Sequence, residues 1–198
     1  MLYNVSLFKI SNILKSEIKF LEAGKLLFFS LGNKKVTVED ICLDAGLSKM
    51  TFYRLFGNKE AFVLRFFEFI YEDGMAKFKK ILNGADDFNE KIVQLMLLEI
   101  ESAKRYSNRF FEEMSDWFDR EDLQKYVVES SDMMRNFFMQ GQLNGDVNPT
   151  LNIDLMLYLI KDWQLKAFDP EISGMYQDHE LMIRDLTQLF YFGIIGKK

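Results

Sequence analysis

The sequence predicts an all-α fold: an N-terminal three-helix head with a helix-turn-helix, followed by a C-terminal helical body. Three observations carry this. Apolar residues recur at three- and four-residue steps along most of the chain. Strand formers are scarce, 8 Val and 4 Thr against 25 Leu. The 2 prolines both fall between periodic segments, where an all-α chain tolerates them. With 198 residues, 48% hydrophobic and 28% charged, the chain can bury a sizeable core and is not of disordered composition.

The elements follow in order. Phe20, Leu21, Leu27, Phe28 and Leu31 form the apolar stripe of a first helix that Gly32 stops. The ten residues at the start show no clean period; they either lengthen that helix, lie on the surface, or stay disordered. After the basic loop Asn33-Lys34-Lys35, Thr37 stands as N-cap of a short helix with Glu39 and Asp40 in its first turn. Ile41, Cys42 and Ala45 face inward, and Gly46 ends it. Ser48 caps a third helix, Lys49 to Phe56, and Asn58 caps a long fourth one reaching Leu82. Further helices are expected from Asp86 or Asp87 through Ile100, from Asn108 to Phe118, and from Asp122 to Met139. Gly141 to Pro149 reads as a loop. Thr150 opens a helix to about Phe168, Asp169-Pro170 breaks it, and a last helix covers about Asp178 to Ile194.

Composition removes several functions. One cysteine, Cys42, excludes an internal disulfide and points to a reducing, cytoplasmic setting. One histidine, His179, leaves no Cys/His zinc arrangement and argues against a Ser-His-Asp triad. No metal, no cofactor and no catalytic group is expected, so the chain does not read as an enzyme. No apolar run approaches the ~18 residues of a membrane span, and the start lacks the pattern of a secretion signal. Cys42 itself reads as a small buried residue and His179 as a polar residue at a helix start.

The informative segment is Val38 to Phe56, two short helices about a glycine turn. Ile41, Ala45, Leu47, Phe52 and Leu55 supply apolar faces that meet. In such a unit the second helix enters the DNA major groove. Its outward residues would be Lys49, Met50, Thr51, Tyr53 and Arg54, a set suited to phosphates and base edges. Lys34-Lys35 is either a solvated loop or a phosphate contact. The net charge of −5 divides unevenly: residues 1–60 hold nine cations against six anions, or +3, and the rest sums to −8. A basic head on an acidic body suits contact with DNA through one end.

Here the chain resembles a known family. Phe20-Leu21-Glu22-Ala23-Gly24, Leu27-Phe28, Gly32, Thr37-Val38-Glu39-Asp40-Ile41, Ala45-Gly46-Leu47-Ser48-Lys49, Thr51-Phe52-Tyr53-Arg54-Leu55-Phe56 and Asn58-Lys59-Glu60 look like the N-terminal domain of TetR/AcrR-type transcriptional regulators. The likeness is ungapped over about residues 18–64, and Gln140 to Leu151 is similar to the glycine-containing loop before their dimerisation helices. The resemblance implies that Thr37 and Lys59 grip phosphates, and that Ser48, Lys49, Thr51, Tyr53 and Arg54 form the recognition surface; Lys35 joins the DNA-binding candidates by its position just before Thr37. The chain departs from the pattern at Gly24 and Cys42, where alanine is usual, and at Met50, often glycine. Gly24 is expected to weaken the first helix by up to ~1 kcal/mol.

The body, residues 59–198 against a head of 1–58, is read as the effector-binding and dimerising part. Aromatic and methionine clusters exceed what a small core needs and point to an apolar or aromatic effector. Tyr71, Met114, Trp117, Tyr126, Phe137 and Trp163 are the candidate walls. The last two long helices are apolar on more than one face, and Leu155, Leu159, Trp163, Met182, Leu186, Leu189 and Phe190 are candidates for a homodimer interface. The expected function is a ligand-responsive regulator, a repressor, on a palindromic double-stranded DNA operator. The alternative is an all-α apolar-ligand carrier or adaptor that does not use its helix-turn-helix for sequence-specific binding.

Overall fold

Aromatic rings at helical spacing set the architecture, because each ring buries a large area and must find others. The structure, a computed structural model, describes residues 2–118, 120–166 and 169–194; the side chains of residues 2–12, Trp163, His179 and Phe190 lie outside the described residues. The described chain forms ten helical segments in the order α1 (Leu2–Leu31), α2 (Val38–Ala45), α3 (Lys49–Phe56), α4 (Lys59–Leu82), α5 (Phe88–Lys104), α6 (Asn108–Phe118), α7 (Glu121–Asn144), α8 (Ile153–Lys166), α9 (Pro170–Ser173) and α10 (His179–Ile194). No strand occurs among the described residues.

The head folds as its caps and stripes predict. Phe20, Phe28, Ile41, Phe52, Phe62 and Phe66 are fully buried, so α1, α2, α3 and the start of α4 share one core. Phe52 meets Phe20 edge-on at 5.4 Å and Phe62 at 5.2 Å, and Phe56 lies 4.9 Å from Phe62. The core does not stop at the head. Phe66 packs 4.9 Å from Phe28 of α1 and 6.3 Å from Phe110 of α6, and the same cluster continues to Leu123 and Tyr126 of α7. A second cluster joins α5, α7 and α8 through Ile92, Leu95, Met134, Phe138 and Met156, and Met182 of α10 centres a third.

Several boundaries differ from the sequence expectation. The helical start reaches Leu2, the first of the three alternatives open for the first ten residues. Helix α7 runs past Met139 through the expected loop to Asn144. Gly141 is a buried helical residue there, because Phe88 and Val147 occupy the space of a Cβ at 2.6 and 2.9 Å. Helix α8 starts at Ile153 rather than Thr150, since Asn152 accepts the Leu155 N–H at 3.1 Å as its cap. The break at Asp169-Pro170 contains a single turn, α9, with Asp169 accepting from Glu171 N at 2.9 Å. Gly24 is likewise explained by packing: a Cβ there would come within 2.9 Å of the Phe62 ring. The helix-propensity cost expected at Gly24 is the counterpart of that close approach.

Helix α10 lies along α5. Thr187 Oγ1, buried, is 2.6 Å from its own Ile183 carbonyl and 3.2 Å from Glu99 Oε2 on α5. Although Glu99 keeps part of its surface exposed, burial of its carboxyl pushes its pKa from 4.5 up to about 7.

Two outcomes follow from this packing. Phe66→Ala removes the ring shared by α1, α4 and α6 and is expected to cost about 3–5 kcal/mol of stability in urea unfolding. Glu99 favours its neutral form when folded, so its contribution is full below pH ~4.5 and is lost as pH rises through about 7. Glu99→Gln should therefore lose less stability than wild type between pH 5 and pH 8, read as the difference in urea midpoints.

Candidate nucleic-acid interface

Three caps position the interface. Thr37 and Asp40 form a reciprocal capping box at the start of α2: Asp40 N–H donates to Thr37 Oγ1 at 3.2 Å, and Thr37 N–H donates to Asp40 Oδ2 at 2.8 Å. The Thr37 hydroxyl also donates to Asp40 Oδ2, at 2.7 Å, which holds that carboxyl below its usual range. Gly46, with φ of +64°, turns the chain, and the Leu47 N–H closes on Cys42 O at 3.0 Å. Ser48 caps α3 by accepting from Thr51 N at 3.2 Å, and Asn58 caps α4 by accepting from Ala61 N at 2.8 Å.

Those caps orient α3 with one face buried and the other in water. Phe52 is fully buried, while Ser48, Lys49, Met50, Tyr53 and Arg54 are exposed and Thr51 is half-buried. Met50 is 80% exposed, so the methionine at this position projects into solvent rather than filling the core. Lys35 is exposed on the loop before α2. Of the residues singled out for DNA contact in 35–54, all but the half-buried Thr51 are exposed.

Besides Thr37, two of the cations singled out in the sequence are engaged within the chain. Lys49 is ion-paired with Glu39 of α2, and the pairing lowers the pKa of Glu39 and raises that of Lys49. Lys59 is half-buried and its ammonium donates to the Asn33 carbonyl at 2.7 Å, with burial lowering its pKa. Cys42 is a buried free thiol whose pKa burial raises, which makes it a packing residue of α2. Glu39 and Asn33, which hold Lys49 and Lys59, carried no signal of that role in their spacing. At the head of α2, Thr37 as N-cap and Asp40 as a first-turn acid were legible; their reciprocal bonding was not.

The body candidates occupy two different clusters. Tyr71 stacks on Tyr126 at 5.3 Å, and burial pushes its pKa up to about 12. Trp117 stacks on Phe67 at 4.9 Å and carries the Arg120 guanidinium over its ring at 4.7 Å, and Met114 packs on the same core. Phe137 is apart from these, stacked on Phe88 at 4.5 Å beside an open cleft of about 730 Å³ lined by Asp86, Asp87, Met133, Asn136 and Asp146 among others. On the outer helices, Leu155, Leu159 and Leu189 are exposed; Leu186 is half-buried, and Met182 is fully buried against Tyr106, Ile172 and Tyr176 of its own chain. Met182 thus lies beneath an apolar face and not on it. Among the described residues no group of His, Cys, Asp and Glu could hold a metal, and no helix is long and apolar enough to cross a membrane.

Residues 20–66 match the sequence profile of bacterial regulatory proteins of the tetR family. No curated protein matches the chain. Solved structures do. NemR of E. coli in its reduced form superposes with a TM-score of 0.70 at 15% identity, covering 92% of this chain and 98% of that one. A transcriptional regulator from Saccharomonospora viridis in complex with choline gives 0.69 at 16%, covering 91% and 98%. The transcriptional regulator FadR of Bacillus subtilis in complex with stearoyl-CoA gives 0.65 at 14%, covering 89% and 98%. At such identities the likeness is one of fold.

Glu39 holds the Lys49 ammonium, so a phosphate reaching Lys49 would have to displace it. Glu39→Gln is therefore expected to tighten duplex binding by about threefold to tenfold and to steepen its salt dependence, measured by fluorescence anisotropy across a salt series.

Proposed function

We propose that this chain, a transcriptional regulator of the tetR family, acts as a repressor that grips a palindromic operator as a homodimer and lets go when a small effector binds. The carrying observation is the division of α3: Phe52 is fully buried on one side while Met50, Tyr53 and Arg54 stand exposed on the other. A buried anchor under a solvent-facing polar row is what a recognition helix needs to enter a major groove without unfolding. Ser48, Lys49, Thr51, Tyr53 and Arg54 are assigned to the operator, Met50 to an apolar contact such as a thymine methyl, and Lys35, Thr37 and Lys59 to phosphates. Lys49 must leave Glu39, and the Thr37 hydroxyl Asp40, to make those contacts.

Two further parts complete the reading. Leu155, Tyr158 and Leu159 of α8 and Leu181 and Leu189 of α10 expose apolar area that a second copy would cover. The domain division is placed at Asn58, with residues 1–58 facing DNA and 59–198 holding the effector and the partner. Neighbours of this fold were solved with stearoyl-CoA and with choline, an acyl thioester and an organic cation. An apolar or aromatic effector for this chain would be met by Tyr71, Met114, Trp117 and Tyr126 in one cluster or by Phe137 in the other, with Trp163 a sixth candidate. It would act only through unequal affinity for the DNA-competent and released arrangements. A reducing, cytoplasmic setting accords with the single buried thiol.

One observation favours the carrier reading as a competitor: Lys49, Thr37 and Lys59 each have a partner inside the chain. Salt-dependent duplex binding separates the two. In a duplex selected from a random pool, Lys35→Ala should lower the slope of log K against log salt by about 1, and Tyr53→Ala should weaken binding with the dimer intact. Leu189→Asp should convert a dimer to monomer in sedimentation at micromolar concentration. Absence of any salt-dependent binding by the wild type would overturn the repressor assignment.

A further inference from the structure

Three polar residues are buried among the described residues, Asn33, Glu113 and Thr187, and two of them meet at one turn. That turn joins α1 to α2 and lies immediately before Lys35 and Thr37. Glu113 belongs to α6, in the body, 79 positions from Lys34. Its Oε2 accepts the Lys34 backbone N–H at 3.0 Å, and its Oε1 accepts Arg109 Nε at 3.2 Å. Both carboxylate oxygens press on Gly32, where a Cβ would lie 2.8 Å away from each. Gly32 also has φ of +79°, so the turn needs glycine twice, for its backbone angle and for the carboxylate against it.

One polar group of the turn goes unsatisfied. Asn33 Nδ2 is buried with no hydrogen-bond partner among the described residues, a cost the turn must carry. Val36 is buried and anchors the apolar side of the loop. On the polar side the anchors come from elsewhere: Lys59 on the Asn33 carbonyl and Glu113 on the Lys34 amide. The seat of α6 on the end of α1 is firm, since Ser107 N–H donates to Phe29 O at 2.7 Å and Tyr106 and Phe110 pack 4.7 and 5.0 Å from the Phe29 ring. A carboxylate so seated fixes the position of the amide it accepts.

We infer that Glu113 is a positioning residue for DNA binding: from the body, its buried carboxylate holds the α1–α2 turn in the shape that presents Lys35 and Thr37 to phosphate. This rests on the DNA-binding reading of the head. It places a determinant of operator affinity in α6, in a residue that itself touches no DNA. The bond is geometric: what the Lys34 amide needs is an acceptor oxygen at this reach, while the charge serves Arg109 and, at longer range, the Lys59 ammonium.

The test contrasts two variants in the full-length protein. Glu113→Asp keeps the charge but draws the oxygens back from the turn; Glu113→Gln keeps the reach and one acceptor. Hydrogen exchange of the Lys34 amide is read without DNA, and affinity for the selected duplex by anisotropy across a salt series. Glu113→Asp should speed Lys34 exchange and weaken binding about tenfold with an unchanged salt slope, because no phosphate contact is itself lost. Glu113→Gln should restore both to near the wild-type values. An Asp variant equal to wild type in either measurement, or a Gln variant as impaired as Asp, overturns the inference. A wild type that binds no duplex defeats the DNA-binding reading and this inference with it, and is told apart from the other failures because Lys34 exchange is measured without DNA.

Discussion

The head has no core of its own, and most of the structure depends on that constraint. Helices α2 and α3 have eight residues each, too few to persist in water by backbone bonds alone. They stand because Ile41 and Phe52 bury against Phe20 and Phe62, and Phe62 belongs to the long helix that continues into the body. Phe66, one turn further, brings in Phe28 of α1 and Phe110 of α6. Recognition surface and body are therefore packed on the same rings. A shift of α4 or α6 has to move the seat of α1 as well, since close-packed interiors transmit displacement rather than absorb it.

Charge is arranged around this core in two layers. Between α4 and the rest of the body, Glu60–Arg120, Glu68–Lys125 and Lys79–Glu129 pair along the α4–α7 seam, and Arg65 reaches Glu17 of α1 at 2.8 Å. Exposed pairs of this kind contribute little stability, but they favour one register of the helices. Around α2 and α3 the contacts have another effect: Glu39 holds the Lys49 ammonium and the Asn33 carbonyl holds that of Lys59, so the proposed phosphate contacts of these two cations would have to displace them.

Features legible in the sequence share one property: they act over a few residues. The stripe Phe20, Leu21, Phe28 and the caps Thr37, Ser48 and Asn58 locate α1 to α4 because periodicity and capping are settled within a turn or two. The exposed row Met50, Tyr53, Arg54 follows from the phase of α3 once Phe52 is inside. Gly141 was misleading for the complementary reason. Glycine next to Asn144, Gly145 and Pro149 signals a loop locally, yet Phe88, more than fifty residues away, takes the place of its missing side chain and keeps it helical. Gly24 under Phe62 is the same case in α1.

By itself, then, the sequence determined an all-α chain, the helix-turn-helix with its caps, and which side of α3 faces water. Each is a matter of local hydrogen bonding and of hydrophobic phase. Tertiary structure alone decided where the polar ends go: Lys59 inward to Asn33, Lys49 onto Glu39, and Glu113 of α6 onto the Lys34 amide. It also decided that Met182 sits beneath the α10 surface while Leu189 stands on it. Such partners are brought together by burial of rings many residues apart, and the energy of a buried carboxylate or amide depends on what the whole packing places beside it.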